Sequence, residues 1–177
     1  MPTKTTLSAI LISSFTAGLA HAENVEIYLL DMLDNVQAGY CVDIAKGREE
    51  AANPDDGLQA HTCYSPGGAL GYDQTFDTEK FEDGTLYMVN FDVCTEITST
   101  DAGSTLALAA CDGSEAQQFT FTGEGTITPV SAPELCFTAA EDTRTGRSDD
   151  NQIKVLSLET CDEANAAYQN WGVRTVE

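Results

Sequence analysis

The 177-residue sequence carries 29 Asp and Glu against 8 Lys and Arg, a formal net charge of −21. Nucleic acid phosphates and anionic lipid headgroups are held by clustered positive charge, so neither nucleic acid nor membrane is expected as a partner. The general reading of the acidity is solubility in a salty or crowded exterior.

In chain order, Met1 to Ala22 reads as a secretory leader. Lys4 supplies the positive start, Leu7 to Leu19 is apolar with small residues, and Ala20-His21-Ala22 offers a small-x-small cleavage site. The apolar run of about 13 residues falls short of the roughly 20 that a spanning helix needs. Cleavage after Ala22 and a secreted or periplasmic location are expected, with residues 23–177 forming one domain. Short alternating segments then follow: Val25 to Leu29, Thr85 to Val89, Thr105 to Leu108, Phe119 to Phe121 and Ile153 to Leu156. Turn clusters such as Asn53 to Gly57, Ser65 to Gly68 and Thr145 to Ser148 separate them. That punctuation predicts an all-β sandwich or barrel, with at most one helical turn between Cys161 and Tyr168.

A triplicated pattern runs through this material. Cys41 and Cys63 precede Gln74 and Phe76; Cys94 and Cys111 precede Gln117 and Phe119; Cys136 and Cys161 precede Gln169 and Trp171. A period of roughly 40 to 50 residues marks stacked units, none of which buries its apolar face alone. The repeat selects the disulfide pairing Cys41–Cys63, Cys94–Cys111 and Cys136–Cys161, as an exported chain favours. On a strand, positions two apart face the same side, so each glutamine points with its aromatic ring. The three rings are expected to fill one core while the buried amides bond nearby backbone.

Catalysis finds little to build on. His61 is the one histidine after the leader, the cysteines are paired, and no Gly-x-Ser-x-Gly turn occurs. No enzyme, no cofactor and no metal site is expected; the cysteine spacings do not suit zinc, and no acidic run fits an EF-hand loop.

Cys41-Val42-Asp43, Gln59-Ala60-His61-Thr62-Cys63 and Asp73-Gln74-Thr75-Phe76 resemble the Cys-x-Asp, Gln-x-aromatic-x-Cys and Gln-x-Trp elements of the ricin B-type lectin family. The resemblance covers about residues 38–174, with repeats at about 38–80, 81–122 and 123–174. It implies a β-trefoil of twelve strands, a six-stranded barrel capped by hairpins. It also implies a carbohydrate-binding module for a glycan or polysaccharide, with a galactose-type sugar as first choice. The implied pocket residues are Asp43 as carboxylate, Gln59 as amide, His61 in place of the stacking ring, and Asp73 with Gln74 where the family has Asn-Gln. His61 between Asp43 and Asp73 is expected to favour the imidazolium form. The second repeat has Glu96, Ala107 and Ala109 at the pocket positions, and the third has Thr138, Ser157 and Glu159, so at most the first pocket is competent. The alternative is a degenerate trefoil acting as a protein-binding or protease-inhibitor-like scaffold through the loops Lys46 to Gly57 and Glu141 to Gln152.

Overall fold

The computed structural model describes residues 23–175; the leader and its cleavage site lie outside the described residues. Strands in chain order are β1 (Asn24–Leu29), β2 (Tyr40–Ile44), β3 (Leu58–Thr62), β4 (Phe76–Asp77), β5 (Tyr87–Met88), β6 (Val93–Ile97) and β7 (Ser104–Ala109). They continue as β8 (Phe119–Thr120), β9 (Glu124–Gly125), β10 (Thr128–Pro129), β11 (Leu135–Ala139), β12 (Arg144–Thr145), β13 (Gln152–Thr160) and β14 (Trp171–Arg174). A single helical turn, α1 (Ala166–Gln169), falls at the Ala-rich segment before the last glutamine. Among the described residues no helix is long and apolar enough to cross a membrane.

The all-β class and the three pseudo-repeats stand, but the expected twelve strands and closed six-stranded barrel do not. Twelve of the fourteen described strands share one branched sheet, and β8 with β10 forms a separate pair. In a closed ring β1, β4, β5, β8, β10 and β14 would each pair with the next. Ladders join β1 to β4, β4 to β5, β8 to β10 and β1 to β14. None joins β5 to β8 or β10 to β14 among the described residues, and β14 pairs with β9 instead. The cause is local. Thr85 N turns back to donate to Lys80 O, and of the expected strand Thr85 to Val89 only Tyr87 and Met88 lie in a ladder. Both residues of β5 are taken by β4 and β6, and β8 reaches this segment only before the strand, where Phe119 N donates to Gly84 O.

β13 is the hub. Its nine residues pair with β11, β7, β3 and β12 in turn. The register places Arg144 opposite Ile153 and Ile153 opposite His61. Side chains directly opposite share a face, so residues from the third and first repeats stand abreast.

Phe76, Phe119 and Trp171 are buried in one hydrophobic cluster with Ile27, Leu29, Phe137 and Leu158. Phe119 meets Phe137 edge-on with centroids 5.4 Å apart, and Trp171 Nε1 donates to Phe137 O at 3.0 Å. The disulfides Cys41–Cys63, Cys94–Cys111 and Cys136–Cys161 each stay within one repeat. Closing such local loops contributes about 3 kcal/mol each in the chain-entropy model.

The three glutamines make the same bonds. Gln74 Oε1 accepts from Tyr64 N, Gln117 Oε1 from Asp112 N and Gln169 Oε1 from Asp162 N, always the residue after the second cysteine. Their Nε2 groups donate to Thr62 O, Ala110 O and Thr160 O, always the residue before it. The second amide proton goes to the side chain two residues beyond the first cysteine: Asp43 Oδ2, Glu96 Oε2 or Thr138 Oγ1. A buried amide is thereby satisfied, and the loop between the second cysteine and the ring is pinned to the hairpin.

Candidate functional site

The first-repeat site grows from the β2–β3 hairpin. Its register sets Cys41 opposite His61 and Asp43 opposite Gln59. In the other repeats the corresponding pairs are Glu96 with Ala107 and Thr138 with Ser157. Only the first hairpin thus faces an amide across to its acidic residue.

Asp43 is 1% exposed. Gln59 Nε2 donates to its Oδ1 at 2.8 Å, and Gln74 Nε2 to its Oδ2 at 2.9 Å. Burial and the nearby Asp73 carboxylate push its carboxyl well above the usual range, against the two amide bonds that favour the charged form. Gln59 passes this order outward: its Oε1 accepts from Arg144 Nη2 at 3.0 Å. A buried carboxylate therefore orients an amide, and the amide orients a guanidinium at the surface.

Asp73 lies one layer away. Its Oδ2 accepts from Glu49 N at 2.7 Å, while its buried Oδ1 has no partner. Burial raises its carboxyl and the Glu49 charge adds to that, while backbone hydrogen bonds and Arg48 oppose it. Glu49 Oε2 in turn accepts from Tyr72 N at 2.7 Å. The turn carrying Glu49 is set by Gly47, where a Cβ would stand 2.1 Å from Ala52 Cα. Only a glycine lets the chain approach itself that closely.

Beside this network opens a cleft of about 350 Å³. Gln59, His61 and Tyr64 form one wall, and Arg48, Arg144 and Arg147 stand around it. The rings of His61 and Tyr64 lie 5.6 Å apart and tilted by 42°. Lys154, 2% exposed, holds the loop bearing Arg144 by donating to Glu141 O at 2.8 Å and Thr143 Oγ1 at 2.7 Å. It also pairs with Asp34 at 3.2 Å. Burial alone would raise the Asp34 carboxyl, but hydrogen bonds from Thr143, Tyr40 and Lys154 outweigh it and bring it to about 2.

The structure brings Asp43, Gln59 and Gln74 into direct contact. It sets Asp73 behind Glu49 and leaves Gln59 and His61 on the cleft. His61 corrects the charge expectation. Burial holds its imidazole below the ordinary value and Arg144 adds to that, while the bond to Thr62 O opposes. The neutral ring is favoured chiefly by burial, with a smaller push from Arg144 of the third repeat and none from Asp43 or Asp73. Glu26, Cys41 and Cys63 also bring ligand-type atoms together. The sulfurs are bonded to each other, and a metal ligand must be a thiolate. Tyr64 and the three arginines were not among the residues singled out from sequence. One signal for them existed: Lys46, Arg48, Arg144 and Arg147, half of the Lys and Arg in the chain, fall in the two long loops.

The sequence model described as "Ricin-type beta-trefoil lectin domain" matches residues 82–176, more than half of the chain. It spans the second and third repeats and leaves the first outside. No curated protein matches the sequence. Among solved structures, the chain is similar to the agglutinin from Abrus precatorius, with a TM-score of 0.61 and 18% identity over 90% of this chain and 51% of that one. It thus spans about half the length of that relative. The mdaA-1 domain matches with a TM-score of 0.58 and 16% identity, over 93% of this chain and 97% of that one. A non-toxic homologue of type II RIPs from Momordica charantia, in complex with α-methyl-D-galactoside, gives 0.52 and 22%, over 87% and 48%. At these identities the likeness concerns the fold.

Proposed function

The chain belongs to the ricin-type β-trefoil lectin family, whose domains are carbohydrate-binding modules and not catalysts, and from that premise we propose that it binds saccharide through the cleft of its first repeat. In this reading Gln59, His61 and Tyr64 meet the sugar, and Asp43, Gln74 and Asp73 hold them in place from below. A galactose-type sugar is the first to test, since the Momordica charantia relative is in complex with α-methyl-D-galactoside.

The observation that carries the reading is the joining of a pinned amide, Gln59, to a cleft edged by two rings. Pyranoses rest an apolar face on a ring while fixed amides bridge their hydroxyls. The corresponding positions elsewhere are Ala107 with Ala109 and Ser157 with Glu159, which offer neither an amide nor a ring.

A single shallow site implies weak binding, with a Kd near 1 mM, or about −4 kcal/mol. A glycan array tests this with the wild type and with Tyr64→Ala and Gln59→Ala. Wild-type signal reduced at least tenfold in both variants is expected. Binding indifferent to both substitutions, or no wild-type binding to any glycan, would overturn the reading.

A further inference from the structure

We propose that the first-repeat cleft takes an acidic saccharide, a sugar residue whose carboxylate or sulfate is held by Arg48, Arg144 and Arg147. This deepens the saccharide-binding reading and rests on it.

The first observation is where the scarce positive charge goes. The chain has 8 Lys and Arg against 29 Asp and Glu. Four of the eight, Lys46 and the three arginines, line this one cleft. With acids so abundant, the default for a surface cation is an ion pair. Lys46 has one, with Asp56 at 2.8 Å. Among the described residues Arg48, Arg144 and Arg147 have none within 4.0 Å.

The second observation is the chemistry of the lining. A neutral sugar presents hydroxyl donors, and a pocket built for it leaves carboxylate acceptors open. Here both Asp43 oxygens and Asp73 Oδ2 are already engaged by Gln59, Gln74 and Glu49 N, and the unpartnered Asp73 Oδ1 is buried away from the cleft lining. The charged groups that line the cleft are all cations, three guanidinium groups and the Lys46 ammonium, with no Asp or Glu among them. Cations with no carboxylate beside them in the lining suit an oxyanion, and the guanidinium fork matches carboxylate and sulfate oxygens in pairs.

The third observation is preorganisation. Arg144 is fixed by Gln59 Oε1, itself fixed by Asp43, and its loop is anchored by Lys154. An oriented guanidinium loses less freedom on binding than a free one. The net charge of −21 does not oppose a short ligand, because screening over about 8 Å at physiological salt leaves the local cations dominant.

Titration calorimetry on the full chain tests the proposal with a galacturonate oligosaccharide, a sulfated galactoside and the neutral galactoside of matching length. Sodium acetate and sodium sulfate serve as free anions. At least tenfold tighter binding of either acidic saccharide over the neutral one is expected, weakened several-fold in 0.5 M salt. The doubly substituted Arg144→Gln, Arg147→Gln chain should lose that preference while its thermal melt is unchanged. Lys80→Gln, away from the cleft, should keep it. The carboxylate and sulfate arms say which oxyanion is read. Equal binding of acidic and neutral forms would overturn the acidic class and leave the saccharide reading intact. Binding of no saccharide would overturn both. Free acetate or sulfate binding as tightly as the saccharides would reduce the cleft to an anion site. An acid preference surviving the double substitution would place the oxyanion elsewhere.

Discussion

Asp43 shows how one residue carries two duties. Its counterparts Glu96 and Thr138 also receive the repeat glutamine, so a side-chain acceptor after Cys-x is a structural requirement of all three repeats. What sets Asp43 apart is the second donor, Gln59, and through it Arg144. Asp73 gives a test at the same scale. Its carboxyl is raised by burial, so the stability it contributes is fully present below the unfolded value of about 3.9 and is lost as pH rises through the folded value. Asp73→Asn keeps an acceptor for Glu49 N and removes the buried charge beside Asp43. Urea unfolding between pH 4 and 8 should show the variant more stable by about 1 kcal/mol at pH 7, with the gap narrowing towards pH 4. An equal gap at every pH would contradict the assignment of a raised carboxyl.

Among elements, β13 decides the site. It runs between β3 of the first repeat and β12 of the third, and so carries the arginine loop to the histidine strand. Lys154 on β13 fastens that loop from inside without lining the cleft. Lys154→Met keeps the stem length but removes the donors and leaves Asp34 and Thr143 without them. Saccharide affinity should fall about three- to tenfold, with lost stability of a few kcal/mol. Unchanged affinity in a destabilised chain would show that the loop needs no such anchor. None of this was legible in the sequence, because residues 61 and 144 meet only through a third strand.

Across the whole molecule, the triplication was legible because it rests on spacing. Cysteines, glutamines and rings recur in order, and burial of Phe76, Phe119 and Trp171 in one cluster follows from that order. Closure of the barrel was not legible. It depends on whether β5 reaches β8 and β10 reaches β14, and that turns on main-chain bonds such as Thr85 N to Lys80 O, which no residue pattern announces. Asp43, Gln59 and Gln74 stand in contact, and the open surface beside them is cationic, which a charge counted over the chain hides.

The most direct measurement is an amide chemical-shift titration of the ¹⁵N-labelled chain with the galacturonate oligosaccharide and with the neutral galactoside. Saturable shifts at Gln59, His61, Tyr64, Arg144 and Asn151, with Glu96 and Thr138 unmoved, are expected for a first-repeat saccharide site. Shifts centred on the second or third hairpin, or none with either sugar, would contradict it.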